Sequence, residues 1–320
     1  MARAKAAVKA ATTKVAGGEA ASEAAAWTPA RLGVRKAYKM YVGGAFVRSE
    51  SGRYFQVEEA KGVSTSSREN IPLGSRKDAR DAVLAAHAAF GGWSKRVAAN
   101  RGQILYRLAE MIDARAEELE QSLVRSGLSL VEARREVIAT VDRTVSYAGW
   151  TDKYQSLFAS LNPVGGPHFD FSIPEPVGLV VIAAPQRPSL LGLVGAFLPV
   201  IASGNVCIAL ASELDPRTPL VLAEALATSD LPGGVVNLLT GRAKEMLVPL
   251  ARHQDVQALD LHDVEPALAR ECEDLAADSV KRFRARTLAA EAWFDHAACT
   301  SPRWIERFVE LKTIWHPSGA

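Results

Sequence analysis

The feature that most constrains this chain is an apolar block in its middle. Val177-Gly-Leu-Val-Val-Ile-Ala183 is a continuous run rich in β-branched residues, and residues 188–212 carry no charge. A run of that length raises the possibility of a membrane span. Pro199 and the Gly204-Asn205 pair interrupt it, dividing it into a helix followed by a strand. The block therefore reads as buried core, its strands covered on both faces. Downstream the pattern alternates, with strands over 205–211, 235–239 and 256–261 and helices over 218–228 and 243–253. Strands separated by helices of about ten residues imply βαβ crossovers and a doubly wound, Rossmann-like parallel sheet. Such a sheet binds ligands beyond the carboxyl ends of its strands.

Upstream, Met40–Val47 alternates around Gly43-Gly44 and reads as a short hairpin. Ser75 offers a cap for a helix over 77–90 that ends at Gly91-Gly92. Asn100 offers one for a longer helix, whose Glu117, Glu118 and Glu120 would oppose the helix dipole. A third helix covers 129–157, with Val131, Val137, Val141, Val145 and Ala148 on one side. Residues 265–300 are weakly patterned, and Lys281–Arg286 reads as a solvated helix face. Phe308–Trp315 alternates like a terminal strand.

Charge and cysteine content narrow the function classes. With 38 basic and 36 acidic residues, the net charge of +2 lacks the basic excess of a dedicated nucleic-acid binder. Cys207, Cys272 and Cys299 form no CxxC pair, so they suggest neither a metal site nor a disulfide framework, and a reducing, cytoplasmic setting is expected. Residues 1–35 are expected to be a disordered Ala/Lys-rich tail: they lack the apolar segment of a secretory signal, and Glu19 and Glu23 argue against a transit peptide. The chain has no GxGxxG, P-loop, HExxH or GxSxG motif.

Longer stretches carry a family resemblance. Glu175-Pro-Val-Gly-Leu-Val-Val-Ile with Pro185, Leu198-Pro-Val-Ile-Ala-Ser-Gly-Asn205 and Leu231-Pro-Gly-Gly-Val-Val-Asn-Leu-Leu-Thr-Gly241 resemble the cofactor domain of the aldehyde dehydrogenase superfamily. Tyr147-Ala-Gly-Trp150 fits the same family's N-terminal region. Glu310-Leu-Lys-Thr-Ile-Trp-His-Pro317 is similar to its C-terminal strand. The resemblance implies a hairpin and helices over 36–157, an oligomerisation hairpin over 158–175, a Rossmann-like core over 176–264, a remnant of the catalytic domain over 265–303, and an oligomerisation strand over 304–320.

The departures from the family pattern fall at the chemistry. The family's oxyanion asparagine aligns with Arg187, and its ribose-binding lysine with Leu210, while the neighbouring glutamate is kept as Glu213. Where the family opens a helix with Gly-Ser against the pyrophosphate, this chain has Asp263, a negative charge in place of a close backbone approach. The Glu-Leu-Gly-Gly run that holds the family's general base is missing. Cys299 is the one candidate nucleophile, and it lies about ten residues before the terminal strand, without a shell to activate it. What the resemblance implies is thus a degenerate, non-catalytic subunit without a bound cofactor, pairing through its β arm with a full-length aldehyde dehydrogenase or with itself. The alternative is an NAD(P)-dependent dehydrogenase with an atypical or trans-completed site.

Overall fold

The computed structural model describes residues 36–57 and 68–318. The expected tail over 1–35, with Trp27, lies outside the described residues. The chain divides between Ala37 and Tyr38, and the elements below belong to the part that begins at Tyr38. They run β1 (Met40–Val42), β2 (Ala45–Val47), β3 (Tyr54–Val57), β4 (Glu69–Pro72), α1 (Arg76–Ser94), α2 (Ala98–Asp113), α3 (Ala116–Arg125), α4 (Leu130–Trp150) and α5 (Tyr154–Phe158). Next come β5 (Ser160–Asn162), β6 (His168–Pro176), β7 (Leu179–Ala183), α6 (Ser189–Ala202), β8 (Val206–Leu210), α7 (Arg217–Ala227), β9 (Val236–Leu239) and α8 (Ala243–Arg252). The last are β10 (Ala258–His262), α9 (Pro266–Ala277), β11 (Arg282–Arg286), a 3-10 turn (Ala290–Phe294), α10 (His296–Cys299), α11 (Arg303–Glu306) and β12 (Val309–Pro317).

The fold is α/β with a doubly wound sheet, as the sequence pattern predicts. Seven strands lie in the order β11-β10-β7-β8-β9-β1-β2, parallel from β11 to β9, with β1 antiparallel to β9. Val181 sits opposite Ile208 on one side and Leu259 on the other, and every residue of β7, β8 and β10 is buried. The β1–β2 hairpin turns through Gly43 (φ 62°) and Gly44 (φ 85°), both in the left-handed region that glycine adopts without strain. The Gly43 N–H donates to Asn237 Oδ1 at 2.9 Å, stitching the turn to β9. A Cβ on Gly44 would lie 2.9 Å from Gly233 Cα, so a side chain there would push the hairpin off the sheet.

Several helix boundaries differ from the sequence reading. The α1 helix starts in a Ser75–Asp78 capping box but continues through Gly91-Gly92 to Ser94, because buried Trp93 anchors the last turn by donating from Nε1 to Ile201 O at 2.9 Å. The helix expected from Asn100 is two helices, α2 and α3, and Val97 rather than Asn100 precedes the first. That break moves Glu117 and Glu118 into the first turn of α3, where they favour the dipole instead of opposing it. Pro199 lies inside α6, which ends instead at Ser203-Gly204 with Gly204 at φ 90°. The 129–157 region is α4, capped by Ser129 and Glu132, followed by the short α5. On α4, Val137 and Ala148 face inward, but Val131 and Val145 do not. Finally, Lys281–Arg286 is not a helix face: α9 and β11 complete one more βα unit, and β11 is the sheet's edge.

A second sheet, ordered β12-β6-β5, stands apart from the first. Its nine-pair antiparallel ladder runs from Val309 opposite Pro176 to Pro317 opposite His168, and β5 pairs on the other side of β6. The hairpin and third strand expected over 158–175 and at the C-terminal end are thus joined in one sheet. No helix among the described residues is long and apolar enough to cross a membrane.

Candidate functional site

The carboxyl ends of β7, β8 and β10 converge where a doubly wound sheet binds its ligands. The space there is a cavity of about 150 Å³ lined by Ala184, Leu210, Glu213, Lys244, Asp263 and Glu265, among others. Leu210 ends β8 opposite Ala183 and supplies an apolar wall. Glu213 is held on two sides, with Oε1 accepting from the Ala243 N–H at 2.8 Å and Oε2 from the Arg242 guanidinium at 2.7 Å. It therefore caps the start of α8.

Asp263 follows β10 in the left-handed region (φ 52°), which aspartate tolerates better than most side chains. Its Oδ2 accepts from the Gln186 N–H at 3.1 Å, while Oδ1 is buried without a partner. Gln186 closes the other side: its Oε1 accepts from the Glu213 N–H at 2.9 Å and the Leu214 N–H at 3.3 Å. The two strand-end turns are latched to each other through this one amide. The helix that starts beside them, α9, begins with Glu265 and Pro266, so it offers fewer free N–H groups and adds a carboxylate.

Arg187 points elsewhere. Its guanidinium donates to Ser126 O at 2.8 Å, in the link between α3 and α4. It shares a groove of about 510 Å³ with Asp263, Thr287 and Leu288, and Cys299 does not line that groove. The N-terminus of α6, just past Arg187, is occupied by Glu136 from α4, whose Oε1 accepts from the Leu190 N–H (2.7 Å) and the Leu191 N–H (3.1 Å). Burial pushes the Glu136 carboxyl up, against the pull of those two N–H groups. No local pattern signals this contact, because 54 positions separate Glu136 from Leu190.

Cys299 lies at the end of α10, 3% exposed. Its thiol donates to Ala292 O at 3.4 Å, and Tyr147 Oη donates to its carbonyl at 2.9 Å. Burial pushes the thiol up despite the nearby Arg143, so the thiolate needed for attack is disfavoured. Trp150 Nε1 donates to Thr300 O at 2.8 Å, so Tyr147 and Trp150 hold the segment in place instead of facing a ligand. Cys207 is a core residue of β8, its thiol also raised by burial. The structure therefore brings Glu213, Leu210 and Asp263 together, sets Arg187 in a neighbouring groove that shares Asp263 but with its guanidinium bonded to Ser126, and leaves Cys299 apart from both.

Beneath this segment lies a buried charge cluster that the sequence reading missed. Asp260 Oδ2 is 3.1 Å from His262 Nε2 and 3.4 Å from the Arg286 guanidinium, which lies 3.8 Å from the Trp304 ring centroid. Burial disfavours the Asp260 charge, yet His262 and Arg286 hold its carboxyl below the usual range, at about 2. Alternate polar residues on β10 were its only trace in the sequence. Among the described residues, no three His, Cys, Asp or Glu side chains could hold a metal ion.

Comparison with known proteins fits this geometry. The aldehyde dehydrogenase family model matches residues 46–284. The chain belongs to the aldehyde dehydrogenase family. It is 27% identical over 255 residues to cytosolic 10-formyltetrahydrofolate dehydrogenase of Xenopus tropicalis, covering 78% of this chain and 28% of that protein. It is 30% identical over 222 residues to hydroxyisobutyraldehyde dehydrogenase of Mycolicibacterium austroafricanum, covering 69% and 43%. Among solved structures, PnpE from Pseudomonas sp. WBC-3 superposes with a TM-score of 0.73 at 27% identity, over 79% of this chain and 51% of that one. An NAD+ complex of an aldehyde dehydrogenase from Bacillus cereus matches in fold, with a TM-score of 0.73 at 24% identity over the same shares. The chain thus spans about half the length of the solved family members it matches, and less of the curated relatives.

Proposed function

We propose that this chain is a non-catalytic, aldehyde-dehydrogenase-like subunit that assembles through its three-stranded arm with a complete aldehyde dehydrogenase. The observation that carries the reading is the arm's outer strand: β12 spans nine residues at the sheet's edge, with Leu311 and Trp315 each 61% exposed. An exposed edge of that length is a template for a strand from another chain. The interior supports the non-catalytic half of the reading. Residues 287–308 join β11 to β12 without a domain of their own, and Cys299 within them is buried and bonded.

A dinucleotide does not fit the residues at the strand ends. The cavity of about 150 Å³ at the strand ends shares Gln186, Asp263 and Glu265 with the groove of about 510 Å³, so charge and not size disfavours a dinucleotide there. Glu213, Asp263 and Glu265 line the cavity against one lysine, Lys244. A pyrophosphate about 4 Å from a carboxylate meets roughly 1 kcal/mol of repulsion per charge pair in water, and more in a drier site.

Co-expression with a full-length family member from the same source, followed by native mass spectrometry, is expected to yield a mixed complex. A stable monomer, or a homo-oligomer that excludes the partner, overturns the assembly reading. Calorimetry with NAD and with NADP is expected to show no binding heat. Aldehyde-dependent NADH formation that Cys299→Ala abolishes would establish the enzyme reading in its place.

A further inference from the structure

The α4 helix, 21 residues long, has two unlike faces. One packs inward through Ala133, Glu136, Val137, Thr140, Tyr147 and Ala148, all buried. The other leaves Val131, Ile138 and Val145 exposed at 79%, 56% and 40%. These three stand at intervals of seven. Because two helical turns hold 7.2 residues, such a set drifts by only about 20° per step and forms a narrow straight seam. Beside the seam runs a groove of about 460 Å³ lined by Val131, Arg134, Ile138, Asp142, Phe294 and His296. Isolated apolar side chains on a surface are ordinary. A ridge of three with an adjoining groove is the shape of a helix–helix contact.

We infer that this seam is the contact between two copies of the chain, with the α4 helices antiparallel across a twofold axis at Ile138. A twofold interface must complement itself, each residue meeting the one equally far from the axis on the other helix. The sequence of α4 satisfies that condition along the seam and at the charged positions four residues to either side of Ile138. Val131, seven residues before Ile138, meets Val145, seven after it. Arg134, four before, meets Asp142, four after, so unlike charges face each other twice. Ile138 meets itself. Parallel docking of the same seams sets Arg134 against Arg134 and Asp142 against Asp142, which charge repulsion disfavours. The groove on each copy receives the seam of the other. Arg134 also lies 3.3 Å from Glu120, a pair whose arginine is exposed and whose glutamate is largely covered.

The inference uses a different element from the arm, so the two can fail separately. Helices that pack 8–10 Å apart bring the Cα atoms of directly facing positions within disulfide range. In the full chain, Ile138→Cys under mild oxidation is therefore expected to give a covalent dimer on a non-reducing gel. The natural cysteines are all buried and give little background. Val131→Cys alone is expected to stay unlinked, whereas Val131→Cys combined with Val145→Cys links. Sedimentation of Ile138→Lys is expected to show dimer association weakened at least tenfold, with an unchanged circular dichroism melt. Asp142→Arg is expected to weaken the dimer, and adding Arg134→Asp to restore it. A chain that sediments as a monomer with Ile138→Cys unlinked overturns the inference, as does self-linking of Val131→Cys alone.

Discussion

The central sheet and the three-stranded arm are built on opposite principles. In β7 and β8 every residue is buried, and the side chains are almost wholly aliphatic. In β12 only Val309 is buried, and polar residues alternate with apolar ones. The first sheet takes its stability from burial on both faces, so its strands need no charge pattern. The second is stabilised by its ladder and by cross-strand pairs such as Lys312 with Glu175 at 3.1 Å, and it leaves apolar surface uncovered. One sheet makes the fold; the other presents it.

The sharpest way to break that comparison is to remove a large aromatic side chain from each region. Phe197→Ala empties a fully buried site in α6 and is expected to cost about 3–5 kcal/mol in urea unfolding. The next test concerns charge on β10, one strand in from the sheet's edge. Asp260→Asn removes a buried carboxylate whose folded value lies near 2, against an ordinary 3.8. A depressed carboxylate contributes stability that is present above its unfolded value and lost as pH falls through its folded one. Roughly 2 kcal/mol should therefore disappear between about pH 4 and pH 2 in the natural chain but not in the variant, as followed by unfolding at each pH. The smallest effects belong to the arm. Trp315→Ala and Lys312→Ala are each expected to change stability by about 0.5 kcal/mol or less, since both side chains are more than half exposed. A loss from Trp315→Ala comparable to that from Phe197→Ala would make the arm part of the core.

What could be read from the sequence divides along the same line. The runs at 179–183 and 206–210 announced buried parallel strands because nothing polar competes there. The arm's strands were legible through period-two alternation and through the family resemblance. Where side-chain partners decide the outcome, local pattern failed. The break between Asp113 and Ala116 has no glycine or proline to mark it, and β11 hid behind Arg282, Arg284 and Arg286, whose charge suggested a solvated helix. Two of those arginines are placed by tertiary contacts: Arg286 lies against Trp304, and Arg282 donates to Arg307 O at 3.0 Å. At the site, Leu210, Glu213 and Asp263 were legible as departures from the family pattern. Their internal partners, Gln186, Arg242 and the start of α8, were not, because a motif records which residue is present and not what it bonds.

The lengths and charges of the sheet edges limit how this molecule can grow by strand addition. The central sheet ends on one side at β2, three residues long, and on the other at β11, where three of five residues are arginine. A short edge and a like-charged one both discourage a further strand. Across the arm, β5 is likewise only three residues, which leaves β12 as the long edge among the described strands. Apart from the four-residue strands of the separate β3–β4 pair, the described strands thus offer one long edge, a strand-pairing valence of one in polymer terms. A unit with one such valence terminates a ladder instead of extending it, so an excess of this chain should cap sheet-mediated assemblies at a fixed size.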